Sequence, residues 1–129
     1  LSPVLIEQTI LPAVQRCIDR FGAVFAHYCG RHKALFDQLA ALPGVRAIDL
    51  GDPESYDVRR LMEVCSATDT VLYSRLASEK GEDWRTYTER LAGLVAETGA
   101  RLILRPMLSP DTAEACREML ELWHERTAG

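Results

Sequence analysis

Two kinds of apolar pattern alternate along the chain. Four short runs, Ala23–Cys29, Val45–Gly51, Thr70–Leu76 and Arg101–Met107, are dense in β-branched and aliphatic residues. Each is followed by a longer stretch in which apolar residues return at three- and four-residue steps, the signature of a helix with one buried face. The runs begin about 22, 25 and 31 residues apart, the repeat length of a βα unit. Inside the runs the apolar residues are near-continuous, as in Ala23-Val24-Phe25-Ala26 and Leu102-Ile103-Leu104. That pattern predicts strands of a parallel sheet covered on both faces.

The helical stretches carry their own punctuation. Leu35, Phe36, Leu39, Ala40 and Leu42 form a stripe that stops at Pro43-Gly44. Val58, Leu61, Met62 and Cys65 form the next, and Trp84, Tyr87, Leu91, Leu94 and Val95 a third, closed by Gly99. The last stripe, Cys116, Met119, Leu120 and Trp123, follows Asp111 or Thr112 as its N-cap. Ahead of the first strand, Ser2-Pro3 reads as an N-cap with proline at the first helical position. That helix is expected to kink or break at Pro12 and resume through Ile18 to Phe21.

The order is therefore α-βα-βα-βα-βα over a single α/β domain, residues 1–129. Two architectures fit it: four parallel βα units forming half of a (β/α)8 TIM barrel, or a small open doubly wound sheet. A complete barrel takes about 250 residues, so 129 supply about half of one. With 47% apolar and 26% charged residues the composition is that of a folded domain, not a disordered chain. A net charge of -4 argues against a nucleic-acid partner, which needs a concentrated basic face. No apolar run reaches the roughly 18 residues of a membrane span, and no charged leader with an apolar stretch opens the chain. The expected compartment is the cytoplasm. The first residue is Leu1 rather than Met, which fits a piece of a longer protein.

In either architecture chemistry gathers at the carboxyl ends of the strands. Those ends read His27-Tyr28-Cys29-Gly30-Arg31-His32, Asp49-Leu50-Gly51-Asp52-Pro53-Glu54, Tyr73-Ser74-Arg75 and Arg105-Pro106-Met107. His27 and Cys29 alternate along one strand and so share a face. An imidazole and a thiolate together begin a zinc site; the alternative is a hydrogen-bonded histidine beside a small buried cysteine. Asp49 is a carboxylate inside an apolar strand and needs a partner or a purpose. It is a candidate acid, base or orienter of His27, whereas Asp52 and Glu54 read as turn and cap residues. Arg75 and Arg105, at matching points of successive strands, either grip a carboxylate or phosphate or neutralise Asp49. The four cysteines, Cys17, Cys29, Cys65 and Cys116, are irregularly spaced with no CxxC, and read as reduced thiols. No Gly-rich phosphate loop, GxSxG or HExxH occurs.

The stretch from Ile10-Leu11-Pro12-Ala13 through His27-Tyr28-Cys29-Gly30 resembles the uroporphyrinogen decarboxylase-like superfamily, in which a helix leads into a strand ending in His-x-Cys-Gly. The following strand, Val45-Arg46-Ala47-Ile48-Asp49-Leu50-Gly51, is similar as well, and the order of the remaining units matches the C-terminal half of that barrel. The resemblance implies one of two activities. One is a methyltransferase acting with a corrinoid protein or a thiol acceptor, in which His27 and Cys29 are two of three zinc ligands. The other is a decarboxylase-type enzyme that needs no metal. In the first branch a later cysteine supplies the third ligand near the end of the last strand, where this chain has Leu104-Arg105-Pro106-Met107. Asp49, Arg75 and Arg105 are then the catalytic candidates, with a small molecule as substrate. Half a barrel also implies a partner, either a second copy of the chain or an N-terminal half. A non-catalytic module that dimerises to complete the barrel remains the alternative.

Overall fold

The computed structural model of the chain describes residues 1–128. Four strands, β1 (Val24–Tyr28), β2 (Val45–Leu50), β3 (Val71–Ser74) and β4 (Arg101–Leu104), form one sheet in the order β1-β2-β3-β4, every pair parallel. The helices are α1 (Pro3–Leu5), α2 (Leu11–Phe21), α3 (Lys33–Ala41), α4 (Val58–Thr68), α5 (Trp84–Thr98) and α6 (Ala113–Thr127). The strand order runs one way, without the reversal that defines a doubly wound sheet. Right-handed crossovers that all step in one direction put their helices on the same face.

Register divides the strand residues into two faces. Ala26, Ile48, Leu72 and Leu102 lie in one row, with Tyr28 and Leu50 in the next, and these turn toward the helices. They meet Leu35, Phe36 and Leu39 of α3, Leu61, Met62 and Cys65 of α4, and Tyr87 and Leu91 of α5 in one continuous core. The opposite face carries Phe25, His27, Ala47, Asp49, Val71, Tyr73, Arg101 and Ile103. Exposure alternates strictly along β1 and β4, and Phe25 and Ile103 are 55% and 54% exposed. Near-continuous apolar strands predicted two covered faces; the protein covers one. The fourth helical stripe departs in the same way. Helix α6 has no buried residue, and Leu120 is exposed beside a groove of about 340 Å³ that Leu102, Ile103 and Trp123 also line.

Proline at position 12 acts one turn earlier than the sequence predicts. The segment Ile6–Ile10 is a single π-turn in which the Leu11 N–H reaches back to the Ile6 carbonyl. The wider turn accommodates a ring that has no N–H to give and that crowds the preceding turn, so the helix continues into α2 without breaking. Caps follow the sequence at Ser2, Thr112 and Gly99. After β2 the cap is Asp57, which accepts from the Arg60 N–H; Asp52 precedes only the short turn Pro53–Ser55.

The long connection from β3 to α5 is fastened by Arg90 of α5. Its guanidinium donates to both carboxylate oxygens of Glu82, at 2.5 and 2.9 Å, and to the Ala77 carbonyl at 3.1 Å. The Arg90 bonds hold the Glu82 carboxyl below the usual carboxylate range. A depressed folded value means that the stabilisation is present above the ordinary carboxylate range and is lost as pH falls through the folded value. Glu82→Gln is therefore expected to flatten the decline of the urea midpoint between about pH 5 and about pH 3. An unchanged slope contradicts this role for the pair.

Candidate functional site

The carboxyl ends of β1, β2 and β4 converge on the open face through Asp49. Its carboxylate lies one residue from the carboxyl end of β2 and the residue is 7% exposed. One oxygen pairs with His27 Nδ1 on β1 at 2.9 Å, and the other accepts from the Arg105 guanidinium at 2.6 Å. Arg105 follows β4, so its side chain crosses β3 to reach β2. It does so over the Tyr73 ring, with 4.7 Å between guanidinium carbon and ring centroid. A polar bar thus spans the sheet from β1 to β4. Parallel register explains it: His27 and Asp49 are direct partners, and the Arg105 N–H bonds to the Ser74 carbonyl beyond the β3–β4 ladder.

Below the bar, Phe25 and Tyr73 meet edge to face at 5.4 Å. The position opposite Phe25 on the intervening strand is Ala47, small enough to let rings from β1 and β3 touch.

Beyond the bar lies Cys29, one residue past β1. Its Sγ stands 3.8 Å from His27 Nε2. The backbone around it is fastened on both sides. The Gly30 N–H donates to Asp52 at 2.5 Å, and the Tyr56 hydroxyl donates to the Gly30 carbonyl while accepting from the His32 N–H, both at 3.0 Å. Tyr28 packs beside this hydroxyl, 3.1 Å from it, and burial, followed by the bond to Tyr56, pushes the Tyr28 hydroxyl well above its usual range. Asp52 therefore serves the cysteine loop, not a helix cap, and Glu54 is exposed.

Of the predicted residues, His27, Cys29, Asp49 and Arg105 come together. Arg105 neutralises Asp49, one of its two expected roles. Arg75 stays exposed with no hydrogen bond or ion pair among the described residues. Cys29 is exposed, as are Cys17 and Cys116, and only Cys65 is buried. Burial pushes the Cys65 thiol up to about 12. Tyr73, Tyr56 and Gly51 were not legible as site residues. Tyr73 shares strand parity with Asp49 and Arg75, which was the available signal. Tyr56 joins the site only through a long-range contact.

Zinc is a matter of donors. Tetrahedral bonds of 2.0–2.1 Å to nitrogen and 2.3 Å to sulfur place such ligands about 3.6 Å apart, close to the 3.8 Å between His27 and Cys29. A carboxylate on the other ring nitrogen is also usual for a ligating histidine. The set stops there. No group of three His, Cys, Asp or Glu side chains able to hold a metal occurs among the described residues. The end of β4 presents a guanidinium, a cation that cannot donate to a metal. The residues of this chain alone do not fit a zinc centre.

No family model, curated protein or solved structure matches the chain.

Removing the shared acceptor leaves Arg105 crossing the sheet with nothing to reach. Asp49→Ala is expected to destabilise the fold by about 1–3 kcal/mol in urea unfolding. A loss no larger than that of an exposed-surface substitution, about 0.5 kcal/mol or less, contradicts a bar that holds the sheet.

Proposed function

We propose that this chain is one half of a parallel (β/α)8 barrel of the uroporphyrinogen decarboxylase-like kind, and that its rim takes a small carboxylate-bearing substrate without a metal held by this chain. The observation that carries the reading is Arg105, a guanidinium committed to Asp49 at the point where the zinc branch needs a third donor. Arg75 stands on the neighbouring strand end, exposed and without an ion pair among the described residues, and supplies the charge for an incoming carboxylate. The methyltransferase branch, with its corrinoid protein or thiol acceptor, draws support only from the His27–Cys29 spacing. The metal-free, decarboxylase-type reading therefore fits the donors better.

The half-barrel part rests on what the sheet leaves uncovered. Both edges, β1 and β4, are unpaired, which is a liability for a parallel sheet. Apolar grooves of about 500 Å³ and about 340 Å³ run along them. Phe25, Ala47, Val71 and Ile103 face the side that a closed barrel fills with branched and aromatic side chains. A second set of βα units, from another copy of the chain or from an N-terminal half, covers all three surfaces at once.

Two measurements test this. Sedimentation at micromolar concentration is expected to show self-association that Phe25→Lys abolishes; a compact monomer counts against completion by a second copy, and failure of a separately supplied N-terminal half to bind counts against the other source. Titration calorimetry with citrate as the probe is expected to show binding that Arg75→Ala weakens by about tenfold, the loss of one charge-assisted contact. Arg75 is the informative position because Arg105→Ala also strips Asp49 of its partner. No binding, or binding indifferent to Arg75→Ala, removes the carboxylate reading.

A further inference from the structure

Carboxylate binding leaves Cys29 without a use, although the protein positions this thiol with care. His27 and Cys29 alternate along one chain segment, so their side chains rise from the same face. The carboxylate of Asp49 is an acceptor only, so the proton of a neutral His27 sits on Nδ1 and the lone pair sits on Nε2. That lone pair faces Cys29 Sγ at 3.8 Å. Gly51, at the end of β2, completes the arrangement. A Cβ at this position would stand 2.2 Å from Cys29 Sγ and 3.1 Å from its Cβ, so only glycine lets the thiol lie against the end of β2. Nucleophile, base and orienting carboxylate in sequence are the general form of an activated cysteine.

We propose that Cys29 is the nucleophile of a metal-free thiol site that exchanges with low-molecular-weight disulfides, with His27 as its base and Asp49 and Gly51 as positioning residues. His27 Nε2 takes the Sγ proton, and the thiolate attacks one sulfur of the disulfide. A Cys29–sulfur bond forms as the sulfur–sulfur bond breaks, and the departing thiolate takes the proton back from His27. Acyl transfer suits the site less well. It develops charge on a carbonyl oxygen and requires free N–H donors nearby, yet the Gly30 N–H is already given to Asp52. Exchange places the charge on the departing sulfur, next to the imidazolium. An external thiol then releases the product by a second exchange of the same kind. The site stands independently of the barrel reading, because none of these contacts needs a completing half.

The test uses the whole chain and oxidised glutathione at neutral pH, with each cysteine followed by peptide mass spectrometry. Cys17 and Cys116 are exposed references in the same molecule, and Cys65 is the buried one. Cys29 is expected to form the mixed disulfide at least about tenfold faster than Cys17 or Cys116. His27→Gln and Asp49→Asn should bring it down to their level while leaving the reference rates unchanged, and Gly51→Ala should slow it with Cys29 still present. Should Gly51→Ala fail to fold, His27→Gln with an unchanged circular dichroism spectrum decides the matter. Cys29 reacting no faster than Cys116, a rate indifferent to His27→Gln, or one equivalent of co-purified zinc that protects Cys29 overturns the proposal.

Discussion

A carboxylate buried near the end of an interior strand of an apolar sheet is costly unless each of its oxygens finds a donor. Asp49 meets that constraint by drawing one group from each side, the imidazole of His27 and the guanidinium of Arg105. The consequences extend beyond its own satisfaction. The bond to Asp49 orients the His27 ring so that its Nε2 faces Cys29. Arg105 is pulled across β3 and flattened on Tyr73, so the end of β4 presents neither a metal donor nor a free cation. The chemistry open to the rim is set by how this one side chain is neutralised.

The second constraint is the uncovered face. A parallel sheet is ordinarily buried on both sides because its crossovers place helices against it or because it closes on itself. Here the strand order never reverses, so the crossovers serve one face, and the other retains Phe25, Ile103 and the polar bar. The same edge bears on α6, whose Trp123 packs against the core while Leu120 stays exposed beside the groove along β4.

Much of the framework was legible because helical and strand periods are local. The four strands and their following helices were each marked by apolar spacing and by punctuation such as Pro43-Gly44 and Gly99. Pairing was legible in part: a carboxylate at position 49 demanded a partner, and Arg105 was among the groups expected to provide it. Three features escaped for physical reasons. Continuous apolar residues do not say whether a strand is covered on both faces, since a face awaiting a partner has the same composition as one already buried. Pro12 acted through a π-turn before it, a choice made by backbone hydrogen bonds that side-chain patterns do not report. The clamp on the cysteine loop by Tyr56 and the close approach of Gly51 join residues more than twenty positions apart, beyond the reach of any local spacing.

The central claim is that Asp49 and Arg105 work as one unit across the sheet, and a double-mutant cycle measures that directly. Urea unfolding of the parent, Asp49→Ala, Arg105→Ala and the double variant isolates their interaction energy. A coupling of about 1–3 kcal/mol is the predicted result, appropriate to a partly buried, charge-assisted contact. Additive losses, with a coupling near zero, would show that the two side chains merely sit close together and that the bar does not hold the sheet.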